Sequence, residues 1–355
     1  MKEIINQIRS KETKVNVSIV MNTHRTKPDN QQDRILLKNL VKQAEERMLA
    51  VHDKHLVQNI MDQINQCVES IDHNYNQEGL ILFANENYHK YHRVSVQVKD
   101  RVTVGPTFST RDLIRAQQMD TEYYILTISR PMARLFQAHT DQILKEFHGE
   151  FPMKSDVYTT DVVELTSPKS TDHLVEEFFN QVDKQLMKIL NGTNAQVVIM
   201  GDSRNYDHYI KIADQKSRFA GNVHGNFDHE SNHNIVTAAW SLMNQKRQEA
   251  LAQRIDLLRN ATDQGKSISD PSEIWTALQE GKGQTLFVEE HYYLPAMVSG
   301  QEVKLTLNAQ DTDSNRIDDI IDEMIEKCIE FGGDVVFVKG DGLKDYQGFA
   351  LATRF

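Results

Sequence analysis

Short apolar strands that end or begin at glycine recur along the chain, and amphipathic helices lie between them. GLILFAN at 79–85, AQVVIMG at 195–201 and DVVFVKG at 334–340 are continuous apolar runs of strand length. Between these runs, apolar residues recur every three to four positions, as they do on the buried face of a helix. This alternation predicts a mixed α/β fold, in which helices pack against sheets.

Two polar stretches, at 117–120 and at 261–271, interrupt the pattern. A chain of 355 residues suits two or three domains, since a typical domain has ~100–200 residues. We therefore expect three domains, at 1–118, 119–264 and 265–355.

Local patterns predict the elements of each domain. In the first domain we expect strands at 15–21, 79–85 and 94–98, helices over 35–48 and 54–71, and a turn at Gly105-Pro106 that leads to a helix near Asp112. In the second domain we expect a three-stranded β-meander over 123–148, a loop over 149–170, helices over 170–189, 204–213 and 233–261, and strands at 195–201 and 219–224. The third domain is predicted to run in the order α-β-α-β-β.

The charge balance limits the kind of partner that the chain can bind. There are 51 acidic and 40 basic side chains, so the formal net charge is −11. Any RNA contact must therefore use a local basic patch against an unfavourable overall field. No segment resembles a secretion signal or a membrane span, so we expect a cytoplasmic protein. The two cysteines, Cys67 and Cys328, predict buried thiols, and no metal or cofactor is expected.

The loop that follows the first strand is the best candidate binding site. It places several cationic groups next to a helix N-terminus, an arrangement that receives phosphate groups. The alternative is an ordinary polar loop in which Asp29, Asn30 or Asp33 caps the helix. The candidate RNA-binding residues are His24, Arg25, Lys27, Asn30 and, in the second domain, Lys154.

Two further clusters have simple structural interpretations. His224, His229 and His233 could approach one metal ion, but their spacing fits no fixed metal motif and suits a loop before a helix. A run of carboxylates is interpreted as the solvated first turn of a helix, where negative charge is favourable. Its members are Asp311, Asp313, Asp318, Asp319, Asp322 and Glu323.

At the end of the chain, a double glycine, the string DVVFVKG and a last strand ending in Arg-Phe follow an acidic helix. This order resembles the C-terminal domain of the peptide-chain release factor and Pelota family. The matching positions are Gly333, Val335, Val336, Val338, Gly348, Arg354 and Phe355. The resemblance implies an α/β/α sandwich like that of kink-turn-binding ribosomal proteins.

The other two parts of the chain are similar to the same family. The meander over 123–147, the helix VEEFFNQVDKQLMKIL and the strand AQVVIMGD resemble the middle domain, which implies a ribonuclease-H-like fold. The loop THRTKPDNQQD, GLILFAN and VTVGPTFSTRDLIRA resemble the N-terminal domain of the bacterial branch of the archaeo-eukaryotic release factors.

Two of the family's functional motifs are missing from this sequence. In release factors a Gly-Gly-Gln tripeptide lies after the meander, whereas 149–170 contains neither a glycine pair nor a glutamine. The string from Gly281 to Gln284 is interpreted as a helix stop and a turn. The stop-codon motif Asn-Ile-Lys-Ser is also absent, and the string from Asn59 to Asp62 does not replace it. We therefore predict no catalytic residue.

The resemblance and these departures leave three hypotheses about function. The first is a ribosome-associated factor with a role in rescue, stress or hibernation that binds the ribosome or tRNA-site RNA without catalysis. The second is a peptidyl-tRNA hydrolase with a divergent catalytic loop. The third is a protein scaffold without ribosome contact, which suits the acidic charge. A protein partner could bind the C-terminal domain, and no membrane partner is expected.

Overall fold

The computed structural model describes residues 2–155, 168–299, 302–305 and 316–355. Helices and strands are interspersed along the whole of this part of the chain, so the mixed α/β class predicted from the sequence is confirmed. No helix among the described residues is long and apolar enough to cross a membrane. The predicted boundaries near 118 and 265 stay a prediction. By its internal contacts the chain forms two compact units, which are Met1–Met119 with Gln253–Phe355, and Asp120–Ala252.

The N-terminal segment runs in the order α1 (Lys2–Arg9), β1 (Asn16–Asn22), α2 (Asn30–Val51), α3 (Lys54–Glu69), β2 (Gly79–Asn85), β3 (Tyr88–Val94), β4 (Arg101–Gly105) and α4 (Arg111–Met119). Its strands form an antiparallel sheet in the order β3-β2-β1-β4. Alternate residues of β1 pack on opposite faces, because successive side chains of a strand point to opposite sides. Ile19 packs with α2 and α3, and Val20 packs with Phe108 and residues of α1 and α4.

The middle segment runs in the order β5 (Glu122–Ile128), β6 (Met132–His139), β7 (Gln142–Glu146), β8 (Met153–Lys154), α5 (Pro168–Ile189), β9 (Gln196–Met200), α6 (Ser203–Ile212), β10 (Phe219–Val223) and α7 (Asn232–Asp263). The predicted meander is confirmed as β5-β6-β7, and β9 and β10 extend the sheet in parallel with β5. Phe179 of α5 and Tyr209 of α6 are buried on one face, and Ile235 of α7 is buried on the other.

The C-terminal segment runs in the order β11 (Ser267–Ile268), α8 (Pro271–Gln279), β12 (Gly283–Glu289), β13 (Ala296–Ser299), β14 (Glu302–Leu305), β15 (Arg316–Ile317), α9 (Ile320–Glu330), β16 (Asp334–Val338) and β17 (Phe349–Thr353). The predicted order α-β-α-β-β is confirmed as α8-β12-α9-β16-β17. A sheet of order β11-β17-β12-β16 packs against α8 and α9 through residues such as Leu286, Ile274 and Met324. The small sheet β14-β13-β15 was not predicted.

The strand predicted at 94–98 is wrong. The chain forms β3 before this stretch and pairs it with β2 in a hairpin, with Tyr88 opposite Asn85. Val94, Val96 and Val98 are all buried in the cluster below the sheet. Val94 is the last residue of β3, but Val96 and Val98 are buried without belonging to a strand, and the two patterns look alike in a sequence.

Candidate nucleic-acid interface

The loop between β1 and α2 is anchored at its start to the segment that precedes β2. The hydroxyl of Thr23 donates to the carbonyl oxygen of Gln77 at 2.8 Å, and its backbone N–H donates to the carbonyl oxygen of Glu78 at 2.9 Å. Thr23 is buried, whereas His24, Thr26 and Lys27 are exposed. The loop therefore presents its polar side chains from a fixed base.

Asp33, in the first turn of α2, organises the side chain of His24. Its carboxylate, which is buried, accepts the backbone N–H of His24 at 2.9 Å and faces the His24 Nδ1 at 2.8 Å. The Nδ2 of Asn76 donates to the same carboxylate at 2.7 Å. The hydrogen bond to Asp33 raises the pKa of His24, because it favours the charged imidazolium. The His24 side chain stays 46 % exposed, so its cation is open to an external anion.

The other two loop cations differ in their surroundings. The Nε of Arg25 lies 2.9 Å from the Oε1 of Glu78, and both side chains are about one-third exposed. Lys27 is exposed near the tip of the loop. Part of the positive charge of Arg25 is thus balanced within the protein, and His24 and Lys27 supply the more open charges.

The two remaining candidates, Asn30 and Lys154, do not lie beside the exposed cations of the loop. Asn30 is 6 % exposed, and its Nδ2 donates to the carbonyl oxygen of His73 at 3.5 Å, so its side chain supports the loop from inside. Lys154 is exposed in β8 of the middle segment. The structure therefore brings three of the five predicted residues, His24, Arg25 and Lys27, into one loop.

Sequence reasoning missed the residues that hold this loop. Asp33 was considered only as a helix cap, but Asp29 occupies the cap position, without a side-chain cap bond, and Asp33 binds His24 instead. Asn76 and Glu78 come from a segment more than 40 residues away, and no local pattern connects them to the loop.

The interval that would carry a Gly-Gly-Gln tripeptide is partly described. Residues 156–167 lie outside the described residues, so the predicted loop over 149–170 can be followed only at its start and end. Phe151 is fully buried in the core below the meander. The backbone N–H of Ser155 donates to the carbonyl oxygen of Pro131 at 2.9 Å, beside the pairing of β8 with β6. The first residues of the interval thus belong to the sheet and its core.

The string from Gly281 to Gln284 is a helix stop, as predicted. Gly281 follows α8 with a φ of +69°, which favours glycine. The backbone N–H of Lys282 donates to the carbonyl oxygen of Ala277 at 2.9 Å, and that of Gly281 donates to Leu278 at 3.0 Å. This pair of bonds is the Schellman arrangement at the end of a helix. Gly283 then begins β12.

The histidine-rich segment before α7 shows a polar contact but no metal arrangement. The Nδ1 of His224 lies 3.0 Å from the hydroxyl of Ser203 and 3.1 Å from the Nδ2 of Asn222. Within the part of the chain that the structure describes, no three His, Cys, Asp or Glu side chains are grouped so that they could hold a metal ion.

The acidic run lies at the first turn of α9, as predicted, but the prediction that it is a solvated face is wrong for Asp319 and Asp322. Asp319 and Asp322 are buried, at 6 % and 5 % exposed, whereas Asp311 and Asp313 lie outside the described residues. Asp322 accepts the backbone N–H groups of Thr110 and Arg111 at 3.0 and 2.8 Å. These groups open α4, so a carboxylate from a distant helix satisfies its first donors.

Arg111 is the centre of this buried cluster. Its guanidinium is completely buried and binds the Asp319 carboxylate and the carbonyl oxygen of Tyr292, each at 2.7 Å. The ring of Tyr293 lies 4.4 Å from the guanidinium carbon. Further pairs surround it: Arg101 with Asp112 at 2.5 Å, Arg115 with Glu290 at 3.2 Å, and Arg47 with Asp318 at 2.8 Å. The cluster joins the first 119 residues to the last hundred residues of the chain. Its charged side chains pair with one another inside the protein.

A sequence profile of the bacterial archaeo-eukaryotic release factor family 3 matches residues 122–282. This segment contains the meander, the interval without Gly-Gly-Gln and the helix stop at Gly281. The resemblance to this family that the sequence predicts is thus confirmed for residues 122–282.

Several solved structures are similar to most of the chain at low identity. The archaeal translation termination factor aRF1 is 16 % identical, with 99 % of this chain and 96 % of that chain covered and a TM-score of 0.26. Pelota of Archaeoglobus fulgidus is 13 % identical (78 % and 79 % covered, TM-score 0.38), and Dom34 of S. cerevisiae is 14 % identical (86 % and 77 % covered, TM-score 0.41). At these scores the similarities carry no argument about architecture. No curated protein sequence matches the chain.

Proposed function

We propose that the protein is a ribosome-associated translation factor that acts by binding rather than by hydrolysing peptidyl-tRNA. The proposal rests on two features of residues 122–282 taken together, a family match and a missing tripeptide. This segment matches a release-factor family, yet 149–170 contains neither a glycine pair nor a glutamine. The family resemblance supports a partner in translation, and the missing tripeptide argues against hydrolysis.

The residues of the segment 149–170 also support a non-catalytic role. A glycine pair lets the backbone approach a substrate closely, because it has no side chains and few conformational limits. Here Phe151 is buried in the core and Pro152 follows it. A glutamine that positions water must lie within hydrogen-bond reach of the ester, and 149–170 has none.

The loop with His24, Arg25 and Lys27 is the proposed contact with ribosomal or tRNA-site RNA. Positive side chains on a local loop can bind phosphates even in a chain of net charge −11, because salt screens charges beyond about 10 Å. Lys154 is proposed as a further contact. We place this action in the cytoplasm, at stalled, stressed or idle ribosomes, and the C-terminal domain is proposed to bind a protein partner.

Co-sedimentation with ribosomes over a salt series tests the binding proposal. We expect the full chain to bind at low salt and to dissociate as salt rises, because phosphate contacts release counterions. Changing Arg25→Ala together with Lys27→Ala should weaken binding and reduce the salt slope by about one per cation. Lys38→Ala with Lys42→Ala is the matched control, since it removes two exposed cations from α2.

A release assay with ribosomes that carry labelled peptidyl-tRNA tests the absence of catalysis. We expect no peptide release above background when the protein is in excess. Release well above background would support the divergent hydrolase instead. Failure to co-sediment even at low salt would support the scaffold without ribosome contact.

A further inference from the structure

A cavity of about 280 Å³ lies between the last turns of α7 and the strands β12 and β17. Helix α7 supplies Leu257 and Leu258, and the strands supply Phe287 and Ala352. Leu258 and Phe287 are buried, whereas Leu257 is 65 % exposed. The cavity therefore has an apolar floor and is open to solvent on one side.

The charge of the cavity is opposite to that of the chain. Three cationic side chains line it, Arg254, Lys266 and Arg354, and no Asp or Glu does. Arg254 binds Asp334 at 2.6 Å, and Arg354 donates to the carbonyl oxygen of Phe331 at 2.9 Å. Lys266 forms no ion pair with any residue that the structure describes. In a protein of net charge −11, this lining favours an anionic occupant.

Three carboxamides complete the lining: Asn260, Gln264 and Gln284. All three are exposed, and their side chains make no hydrogen bond with the described residues. A carboxamide offers both a donor and an acceptor, which is the pattern that the edge of a nucleobase requires. The cavity thus combines hydrogen-bonding groups suited to a base with cations suited to a phosphate.

We propose that this cavity binds a nucleoside phosphate, either as a free nucleotide or as one nucleotide of an RNA strand. The volume of about 280 Å³ lies just below the usual range of ligand pockets, roughly 300–1,000 Å³, and so limits the occupant to about one nucleotide. Carboxamides pair well with the N6 and N7 edge of adenine, which makes adenine the expected base. The site lies outside the loop proposed for ribosome contact and is independent of it.

Isothermal titration of the full chain with adenosine 5′-monophosphate, adenosine and inorganic phosphate tests the proposal. We expect the monophosphate to bind at least tenfold more tightly than either fragment. Lys266→Ala and Gln284→Ala should each weaken it about tenfold. Lys282→Ala is the matched control, because this exposed neighbour pairs with Glu280 and does not line the cavity.

A labelled oligoadenylate hexamer separates the two sources of the ligand. Equal affinity of hexamer and monophosphate indicates a site for a free nucleotide, and much tighter binding of the hexamer indicates RNA. The proposal is overturned if neither binds, if inorganic phosphate binds as tightly as the monophosphate, or if both cavity variants bind normally. A circular dichroism melt of each variant confirms that it is folded.

Discussion

At the scale of single residues, His24 and Asp33 form the pair whose chemistry is most accessible to experiment. The buried Asp33 carboxylate raises the pKa of the half-exposed imidazole through a direct hydrogen bond. A raised His pKa means that the folded protein holds the proton more tightly than the unfolded chain. This contribution to stability is therefore fully present below the unfolded pKa of about 6.5, and it is lost as pH rises through the folded value.

We predict that NMR titration of the His24 imidazole gives a pKa above about 6.5, and that Asp33→Asn lowers it. The amide keeps a hydrogen-bonding group in place but removes the negative charge that favours the imidazolium. Ribosome binding should weaken as pH rises through the same pKa, and His24→Asn should remove that dependence. An unchanged His24 pKa in Asp33→Asn would show that the hydrogen bond is not its cause.

Arg111 gives a second prediction at this scale. Arg111→Met should destabilise the protein by about 3–5 kcal/mol, because it leaves the Asp319 carboxylate buried without its cation. Adding Asp319→Asn should restore part of the loss, since the amide is neutral and can still accept the N–H of Ile321 at the start of α9. Urea unfolding of the single and double variants measures both effects. A double variant that is less stable than Arg111→Met would contradict this account.

The cations of the loop between β1 and α2 could be predicted from the sequence, whereas the burial of Asp319 and Asp322 could not. The loop cations were recognisable because three of them stand close together between a strand and a helix. The burial of Asp319 and Asp322 was not, because acidic residues at a helix start are usually solvated. The partners of these carboxylates, in 101–115, lie about 200 residues earlier in the chain. No local sequence pattern indicates such a long-range pairing.

At the scale of elements, α9 is held by polar contacts as well as by its apolar face. Glu326 of this helix accepts from the hydroxyl of Thr110 at 2.5 Å and from the Nε of Arg9 at 2.6 Å. Burial raises the pKa of Glu326 to about 7, despite these bonds, and Glu323 adds to the rise. Asp322, on the same helix, is a further acidic neighbour, and it too is buried.

We predict that stability decreases between about pH 4.5 and pH 7 through Glu326. A carboxyl with a raised pKa stabilises the fold below its ordinary value of 4.5, and this contribution is lost as pH rises to about 7. The loss is at most about 3–4 kcal/mol, at ~1.4 kcal/mol for each unit between 4.5 and about 7. Thermal melts across this pH range should show a smaller decrease for Glu326→Gln than for the unchanged protein. Parallel pH profiles would exclude Glu326 as the source.

Most helices and strands could be predicted from the sequence, and the exceptions share one physical cause. Glycine-bounded apolar runs became β2, β9 and β16, since a buried strand needs apolar residues on both faces. The hairpin strand β3, which contains YHKYHRV, and the short β13–β15 sheet lack such runs. They are held by pairing with a neighbouring strand, which a single segment does not reveal.

At the scale of the whole molecule, the first and last parts of the chain depend on each other. They form one compact unit, while 120–252 forms another. Among the described residues, the guanidinium of Arg111 has its carboxylate and carbonyl partners in 289–319, and Thr110 has its acceptors in α9. Without the C-terminal part, these donors of 1–119 would remain buried and unpaired or would force their surroundings open to water.

We therefore predict that residues 1–119 expressed alone do not fold cooperatively, whereas the same residues co-expressed with 253–355 form a soluble complex. An unpaired buried arginine costs several kcal/mol, which is comparable with the total stability of a small domain. Residues 120–263, which keep α7 intact, should fold alone because the core of the middle sheet is their own. Proton NMR dispersion and thermal melts of the three samples measure this. A cooperative melt of 1–119 alone would show that the buried charge cluster is not required for folding.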